Sequence, residues 1–250
     1  VIHEKSDFLI KEQKKNIKSK KFSWLKNIEK INTNPIIFLA NEFFDAIPIK
    51  QFLSKNNSYF EKYFSLNLSS GINEIYRKAK KEDVENIKSF KTLKDLKFVE
   101  FPKSGFLEMD KIAQKINSLS GGILLIDYGY LKMLNKSTIQ AVMKNKKIKM
   151  ANLLEHLGEA DITSLVNFRL LEEYFLKKNM KVKKIVSQKF FLEKMGIIER
   201  AKILEKKMNS KQKDYMALTL KRLLHKNFMG DLFKVIFAFR CKNNNFLGFK

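Results

Sequence analysis

Cysteine occurs once in the 250 residues, at Cys241, which excludes an internal disulfide framework and fits a reducing compartment. Histidine occurs only at His3, His156 and His225, far from one another and from the cysteine. That spacing offers no metal-ligand cluster and no Ser-His-Asp or Cys-His set. Proline (three) and glycine (nine) are scarce, and no glycine precedes Gly71. No apolar run approaches the length of a membrane-spanning helix. Arginine supplies five of the 50 basic residues: Arg77, Arg169, Arg200, Arg222 and Arg240.

The net charge of +24 is therefore carried mostly by lysine, spread along the whole chain. Specific nucleic-acid readers favour arginine for bidentate contacts and gather their charge into a stripe. With Asn, Ile and Phe also abundant, the bias reads as the residue usage of an AT-rich coding sequence, and no specific nucleic-acid partner is expected. Non-specific attraction to acidic partners still follows from such a charge. The hydrophobic content of 44% and the length suffice for a large core in one domain or two.

What the chain does contain is an alternation of strand and helix patterns. Ile36-Ile37-Phe38-Leu39 reads as a fully buried strand, and Ile123 to Ile126 as a second, ended by Asp127. Phe8 to Ser19 has helical spacing with Asp7 as N-cap, and Lys21 to Leu25 is a short strand pattern. Met109 to Leu119 is a helix closed by Gly121-Gly122, and Ile162 to Lys178 another, capped by Asp161 or Thr163. Phe233 to Arg240 is the closing strand. Residues 49–102 break this rhythm: two strand-like runs flank the polar turn Ser54 to Ser58, and Phe98 to Phe101 adds a third. Residues 129–160 read as a long irregular loop. The pattern predicts an α/β fold with a mostly parallel sheet covered on both faces. Residues 1–48 and 103–250 form its core, and 49–102 an inserted substrate-recognition subdomain.

The most informative segment is Asn41-Glu42-Phe43-Phe44-Asp45-Ala46-Ile47-Pro48. It sets Asn41, Glu42 and Asp45 at the carboxyl end of an apolar strand, where open α/β sheets bind ligands, and Phe43 and Phe44 wall it like a pocket floor. Three apart, Glu42 and Asp45 share a face on one helical turn. Asp127 and Tyr128 hold the equivalent position after the second strand; Asp127 either shapes an acceptor site, with Tyr128 as an aromatic wall, or satisfies loop amides.

This segment resembles the Asn-Glu-Phe-Phe-Asp-Ala-Leu-Pro signature of the MidA-like family, a branch of class I S-adenosylmethionine (SAM) methyltransferases. Four further stretches agree in order: Gly121–Tyr130, Ser137–Val142, Gly158–Thr163 and Met229–Val235. The resemblance implies a Rossmann-like class I methyltransferase sheet with SAM as cofactor and a protein substrate methylated on arginine. In eukaryotic relatives that substrate is a respiratory complex I subunit. It implies a cytoplasmic location for a bacterial source and the mitochondrial matrix for a eukaryotic one, and leaves a homodimer open.

The resemblance gives the polar residues roles. Glu42, Asp45 and Asp127 are the catalytic candidates, because carboxylates grip a guanidinium with bidentate hydrogen bonds. Glu4, at the end of what resembles the family's second strand, would hold the ribose hydroxyls; Trp24 would wall the adenine pocket, and Asn41 would contact the cofactor. Tyr128 and Glu159 would contact the substrate.

The family's first strand and Gly-rich turn have no counterpart, so the chain is expected to begin one strand late, with an incomplete sheet. The family's Pro, His and Asp in the later motifs are replaced by Leu157, Leu165 and Asn167. These departures keep a second function open, a non-catalytic assembly or binding factor on the same fold.

Overall fold

Strands show alternate residues to opposite faces and helices every third or fourth residue to one face, and these periods sort the apolar residues toward one core. The computed structural model describes every residue except 68–70, 144, 145, 149–157 and 243. The chain opens with β1 (Ile2–His3), α1 (Asp7–Asn16), β2 (Trp24–Leu25) and β3 (Ile36–Asn41). Next come β4 (Lys50–Lys55), β5 (Ser58–Asn67), β6 (Gly71–Lys78), α2 (Lys81–Lys88) and β7 (Phe98–Phe101). The middle holds α3 (Lys103–Leu119), β8 (Gly121–Tyr130), β9 (Gln140–Met143), β10 (Lys146–Ile148), β11 (Asp161–Thr163), β12 (Val166–Asn167) and α4 (Phe168–Lys177). The last part holds β13 (Lys181–Val182), β14 (Val186–Ser187), α5 (Gln188–Lys194), α6 (Ile197–Glu205), α7 (Ser210–Leu224), α8 (Met229–Leu232) and β15 (Phe233–Arg240).

β8 organises the main sheet. β3 runs parallel to it along Gly121 to Ile126, β12 parallel at Gly129 and Tyr130, and β15 antiparallel along Gly121 to Tyr128. β13 and β14 pair with the far edge of β15. The fold is thus an α/β sheet with an antiparallel last strand, as the resemblance implies. β6-β5-β4-β7 form a separate antiparallel sheet. Its turn between β4 and β5 has Asn56 and Asn57 at φ 49° and 58°, the left-handed pair that a tight hairpin requires. Both sheets feed one apolar core: Phe52, Ile87, Leu93 and Val99 from the insert join Ile123, Leu125, Ile236 and Ala238 from the main sheet. Phe106 of α3 links them, stacking on Tyr174 at 4.4 Å and meeting Phe90 and Phe101 at 5.5 Å.

Several expectations are corrected. β3 is not fully buried: Ile36, Phe38 and Ala40 pack on the core, but Ile37 and Leu39 are 62% and 71% exposed. Apolar composition made both faces look covered, whereas only the face toward α3 is. The cap of α1 is Ser6, whose hydroxyl accepts the Leu9 N–H, and Asp7 instead pairs with Lys26. Asp161 and Thr163 belong to strand β11, and α4 starts only at Phe168 with Asn167 as cap. The loop expected over 129–160 carries β9 and β10, which pair with each other, while β11 takes the other edge of β9. Leu157 lies outside the described residues. α3 ends at Leu119 with Ser120 at φ 61°, so the left-handed residue precedes Gly121-Gly122.

β1 pairs in parallel with β2 alone, and among the described residues no strand stands between β1 and β3. A cleft of about 640 Å³ lies there, lined by β1, the open edge of β3, and Asn41 and Glu42. No helix of the described residues is long and apolar enough to cross a membrane.

Gly121 permits the closest approach in the sheet. Its φ is +124°, and a Cβ there would stand 1.8 Å from the Ile36 carbonyl oxygen. Gly71, at φ +74°, has nothing within 4 Å of that position. Gly71→Ala should cost only backbone strain, about 1–2 kcal/mol, and Gly121→Ala clearly more, because β3 must move off β8. Urea midpoints measure both; equal shifts would contradict this packing.

Candidate functional site

The site forms where β3 and β8 end side by side. After Asn41 the chain turns through Glu42, whose φ of 48° lies in the left-handed region that a bulky side chain seldom adopts. The turn aligns three successive N–H groups, a concavity suited to an anion. Asp127 fills it. Its Oδ2 accepts the N–H groups of Phe43, Phe44 and Asp45 at 3.1, 2.8 and 3.3 Å, and its Oδ1 accepts the Tyr128 N–H at 2.8 Å. Asp127 is fully buried. Both oxygens serve the backbone, so it lies beneath the site as its support.

Asp45 is different. It is 7% exposed, and its Oδ1 is buried without a hydrogen-bond partner. A buried polar atom normally has a partner, so this one is a place for a ligand's donor. Glu42 is exposed on the cleft, with a 3.4 Å bond from the Asn41 amide. Segment 42–45 is a turn rather than the helical turn expected, which leaves Glu42 exposed and Asp45 buried. The two still act on each other: burial first, then the Glu42 charge, raises the Asp45 pKa. Burial and then Asp45 push Asp127 up to about 7, against the pull of the amides. The Tyr128 ring lies tilted at 45° against Phe233, centroids 4.0 Å apart, and burial with the Glu42 and Asp45 charges raises its phenol.

The site is braced by residues that sequence reasoning missed. The Asp45 carbonyl accepts the Ser164 N–H at 3.0 Å. The neighbouring Leu165 N–H donates to Thr138 Oγ1 at 3.0 Å, and Thr138 donates through that hydroxyl and its N–H to Glu100 at 2.5 and 2.8 Å. Glu100 also accepts from Gln51 at 2.8 Å. The insert sheet is thereby tied to the loop against Asp45. Thr138 and Leu165 lie within resembling stretches, but nothing local marks the bracing role of any of these residues. Asn167 accepts the Leu170 N–H at 3.1 Å as a helix cap, a role that Asn and Asp fill equally well.

Of the remaining candidates, Glu4, Trp24 and Glu159 lie apart from the carboxylates, and Asn41 adjoins Glu42. Glu4 Oε1 accepts the Ser6 N–H at 2.9 Å, and its Oε2 has only a 3.5 Å bond from Gln13. Gln13 in turn accepts the Trp24 indole N–H at 2.8 Å, so Glu4 and Trp24 form one cluster beside β1. Asn41 lines the cleft. Glu159 is exposed in the turn before β11. Among the described residues no group of three or more His, Cys, Asp or Glu could hold a metal ion.

The electrostatics predict a pH signature. The folded-state pKa of Asp127 is raised from 3.8 to about 7, so its contribution to stability is full below 3.8 and is lost as pH rises through about 7. Asp45 acts in the same direction. Stability should fall by a few kcal/mol at most across that window. In Asp127→Asn, urea midpoints taken from pH 4 to 8 should lose most of this slope; an unchanged slope would assign it elsewhere.

Comparison with known proteins gives consistent results. Residues 1–186 match a family model described as "Putative S-adenosyl-L-methionine-dependent methyltransferase". A Caenorhabditis elegans relative, "Protein arginine methyltransferase NDUFAF7 homolog, mitochondrial", is 28% identical over 186 residues, 72% of this chain and 42% of its own length. The Danio rerio "Protein arginine methyltransferase NDUFAF7, mitochondrial" is 24% identical over 211 residues, 84% of this chain and 49% of its own length. The chain thus spans somewhat under half the length of these curated relatives. Two Burkholderia thailandensis crystal structures share the fold, with TM-scores of 0.69 and 0.67 at 17% and 18% identity. Each comparison covers 91% of this chain, and 59% and 57% of the respective neighbours. The second was solved bound to S-adenosyl-homocysteine.

Proposed function

The chain belongs to the S-adenosyl-L-methionine-dependent methyltransferase family that it matches over residues 1–186, and from that premise we propose that it serves methyl transfer to arginine of a protein partner. The observation that carries this reading is the unpartnered, buried Oδ1 of Asp45 beside Glu42. A guanidinium keeps its charge at neutral pH and offers donors in a planar fork, which two neighbouring carboxylates match. The arginine methyltransferase names of the curated relatives agree with it.

The chemistry of three residues supports a place for the cofactor, although only Asn41 of them lines the cleft. Glu4 has a weakly engaged Oε2 for a ribose hydroxyl, Trp24 offers an aromatic face beside it, and Asn41 faces the cleft. When bound, SAM supplies an electrophilic methyl group. The protein's part is positioning and proton handling. Glu42 and Asp45 hold the guanidinium, and Asp45 Oδ1 takes the proton released as the nitrogen is alkylated. The raised proton affinity of Asp45 suits that task. Asp127 positions the turn without touching substrate, and Tyr128 walls the acceptor. The insert at 49–102 serves substrate recognition, linked to the site through Glu100 and Thr138. Glu159, exposed before β11, is a rim contact for the substrate. For a eukaryotic source the reading implies mitochondria, as the relatives' names do for them.

One observation favours the non-catalytic alternative: Leu165 sets an apolar side chain where the resembled family carries His. Incubation with methyl-labelled SAM and arginine-bearing protein substrates, alongside S-adenosyl-homocysteine titration, decides between them. Label should appear on arginine. Glu42→Gln and Asp45→Asn should each slow transfer roughly 10²-fold while keeping S-adenosyl-homocysteine affinity. Turnover unchanged in a variant returns that residue to a structural role. S-adenosyl-homocysteine binding without any transfer supports the binding factor.

A further inference from the structure

α7 has no buried residue. Its inner side, Met216, Leu220, Leu223 and Leu224, is half-buried toward α5 and α8. Its outer side carries Lys211, Tyr215, Leu218 and Arg222, which at spacings of four, three and four form one stripe. Tyr215 is 74% exposed and Leu218 66%. The C-terminal end of the helix is fixed: Gln188 donates to the Leu223 carbonyl at 3.0 Å, and a Cβ on Gly230 would stand 2.2 Å from the Leu224 carbonyl. α8 then leads directly into Phe233, whose ring lies 4.0 Å from Tyr128. The C-terminal end of α7 is thereby anchored beside the segment that carries Phe233, and Arg222, at that end of the stripe, is near enough to Tyr128 for its charge to act on the phenol.

We propose that this stripe is a docking track for a segment of the methyl-acceptor protein in which an apolar residue is flanked by acidic ones. The inference rests on the arginine-transfer reading and adds the sequence context that it selects. Charge complementarity identifies the occupant: α7 carries Lys211, Lys213, Lys221 and Arg222 against Asp214 alone. A second copy of a chain with net charge +24 meets like charge there. An anionic membrane wants a broad apolar face, and this stripe offers two apolar residues in a row that leads to the site. Where lysine dominates the basic residues, the end of the track is an arginine, which pairs bidentately with a carboxylate. From Lys211 to Arg222 the helix rises about 16 Å, a length that about five extended residues span. A segment of about that many residues therefore occupies the track, and the methylated arginine lies beyond its Arg222 end.

Fluorescence anisotropy with a labelled peptide tests this, the peptide carrying a Glu/Leu-rich segment beside a single arginine. Leu218→Asp and Arg222→Glu should each weaken binding about tenfold. Both positions are solvent-exposed, and circular dichroism checks that the fold is kept. A peptide with lysine replacing glutamate should lose binding equally. The track losses should persist when the peptide arginine is replaced by alanine, which separates this surface from the acceptor site. Absence of peptide binding by the wild-type protein overturns the proposal, as do unchanged affinities in both variants. So does loss of binding to phosphatidylserine vesicles with peptide binding intact, which would make the surface a membrane contact.

Discussion

Asp127 reaches across from β8 and accepts three successive amides of the turn that follows β3, at residues 82 to 84 positions earlier in the chain. Taking a carboxylate out of water is costly, and four amide hydrogen bonds offset that cost only if the turn keeps its shape. The left-handed Glu42 is part of the same bargain. With Asp127 in place, the turn directs one carboxylate into solvent and buries the other with a free oxygen. The β3–β8 register brings the two strand ends together, and Gly121 lets β3 lie close enough to form it.

The brace on the other side is polar as well. Ser164, Leu165, Thr138, Glu100 and Gln51 form a run of hydrogen bonds from the Asp45 carbonyl to the insert sheet. Apolar packing beneath it, through Phe44, Phe106 and Tyr174, makes insert and main sheet one body. A substrate touching the insert therefore acts on the same rigid frame that carries Asp45. Networks of this kind hold geometry when every member is satisfied, and among the described residues Asp45 Oδ1 is the buried side-chain atom left without a partner.

Legibility in the sequence followed locality. β8 and β15 were readable because unbroken apolar runs bounded by charged residues make buried strands. The polar cluster Asn41, Glu42 and Asp45 stood out because it sits where a strand ends. The burial of β3 was misjudged, since apolar composition cannot say whether a neighbouring element covers both faces. That Asp127 satisfies loop amides was one of its two readings from sequence, but which amides it takes, and Glu100 as part of the brace, were out of reach because each depends on partners distant in sequence. β9 and β10 escaped because they are short and, in β10, lysine-rich. β6 was missed for its mixed polar pattern. Asn167, which stands where the family carries Asp, caps α4, a role that Asp fills equally well.

The central claim is that a residue which never meets the substrate sets acceptor affinity, because Asp127 holds the turn that presents Glu42 and Asp45. Calorimetric titration of an arginine-bearing peptide, with S-adenosyl-homocysteine present at saturation, tests it directly in the wild-type protein and in Asp127→Asn. The account predicts at least a tenfold loss of peptide affinity in the variant, about 1.4 kcal/mol or more, with S-adenosyl-homocysteine affinity retained. Peptide affinity equal to wild type in a folded Asp127→Asn protein would contradict it.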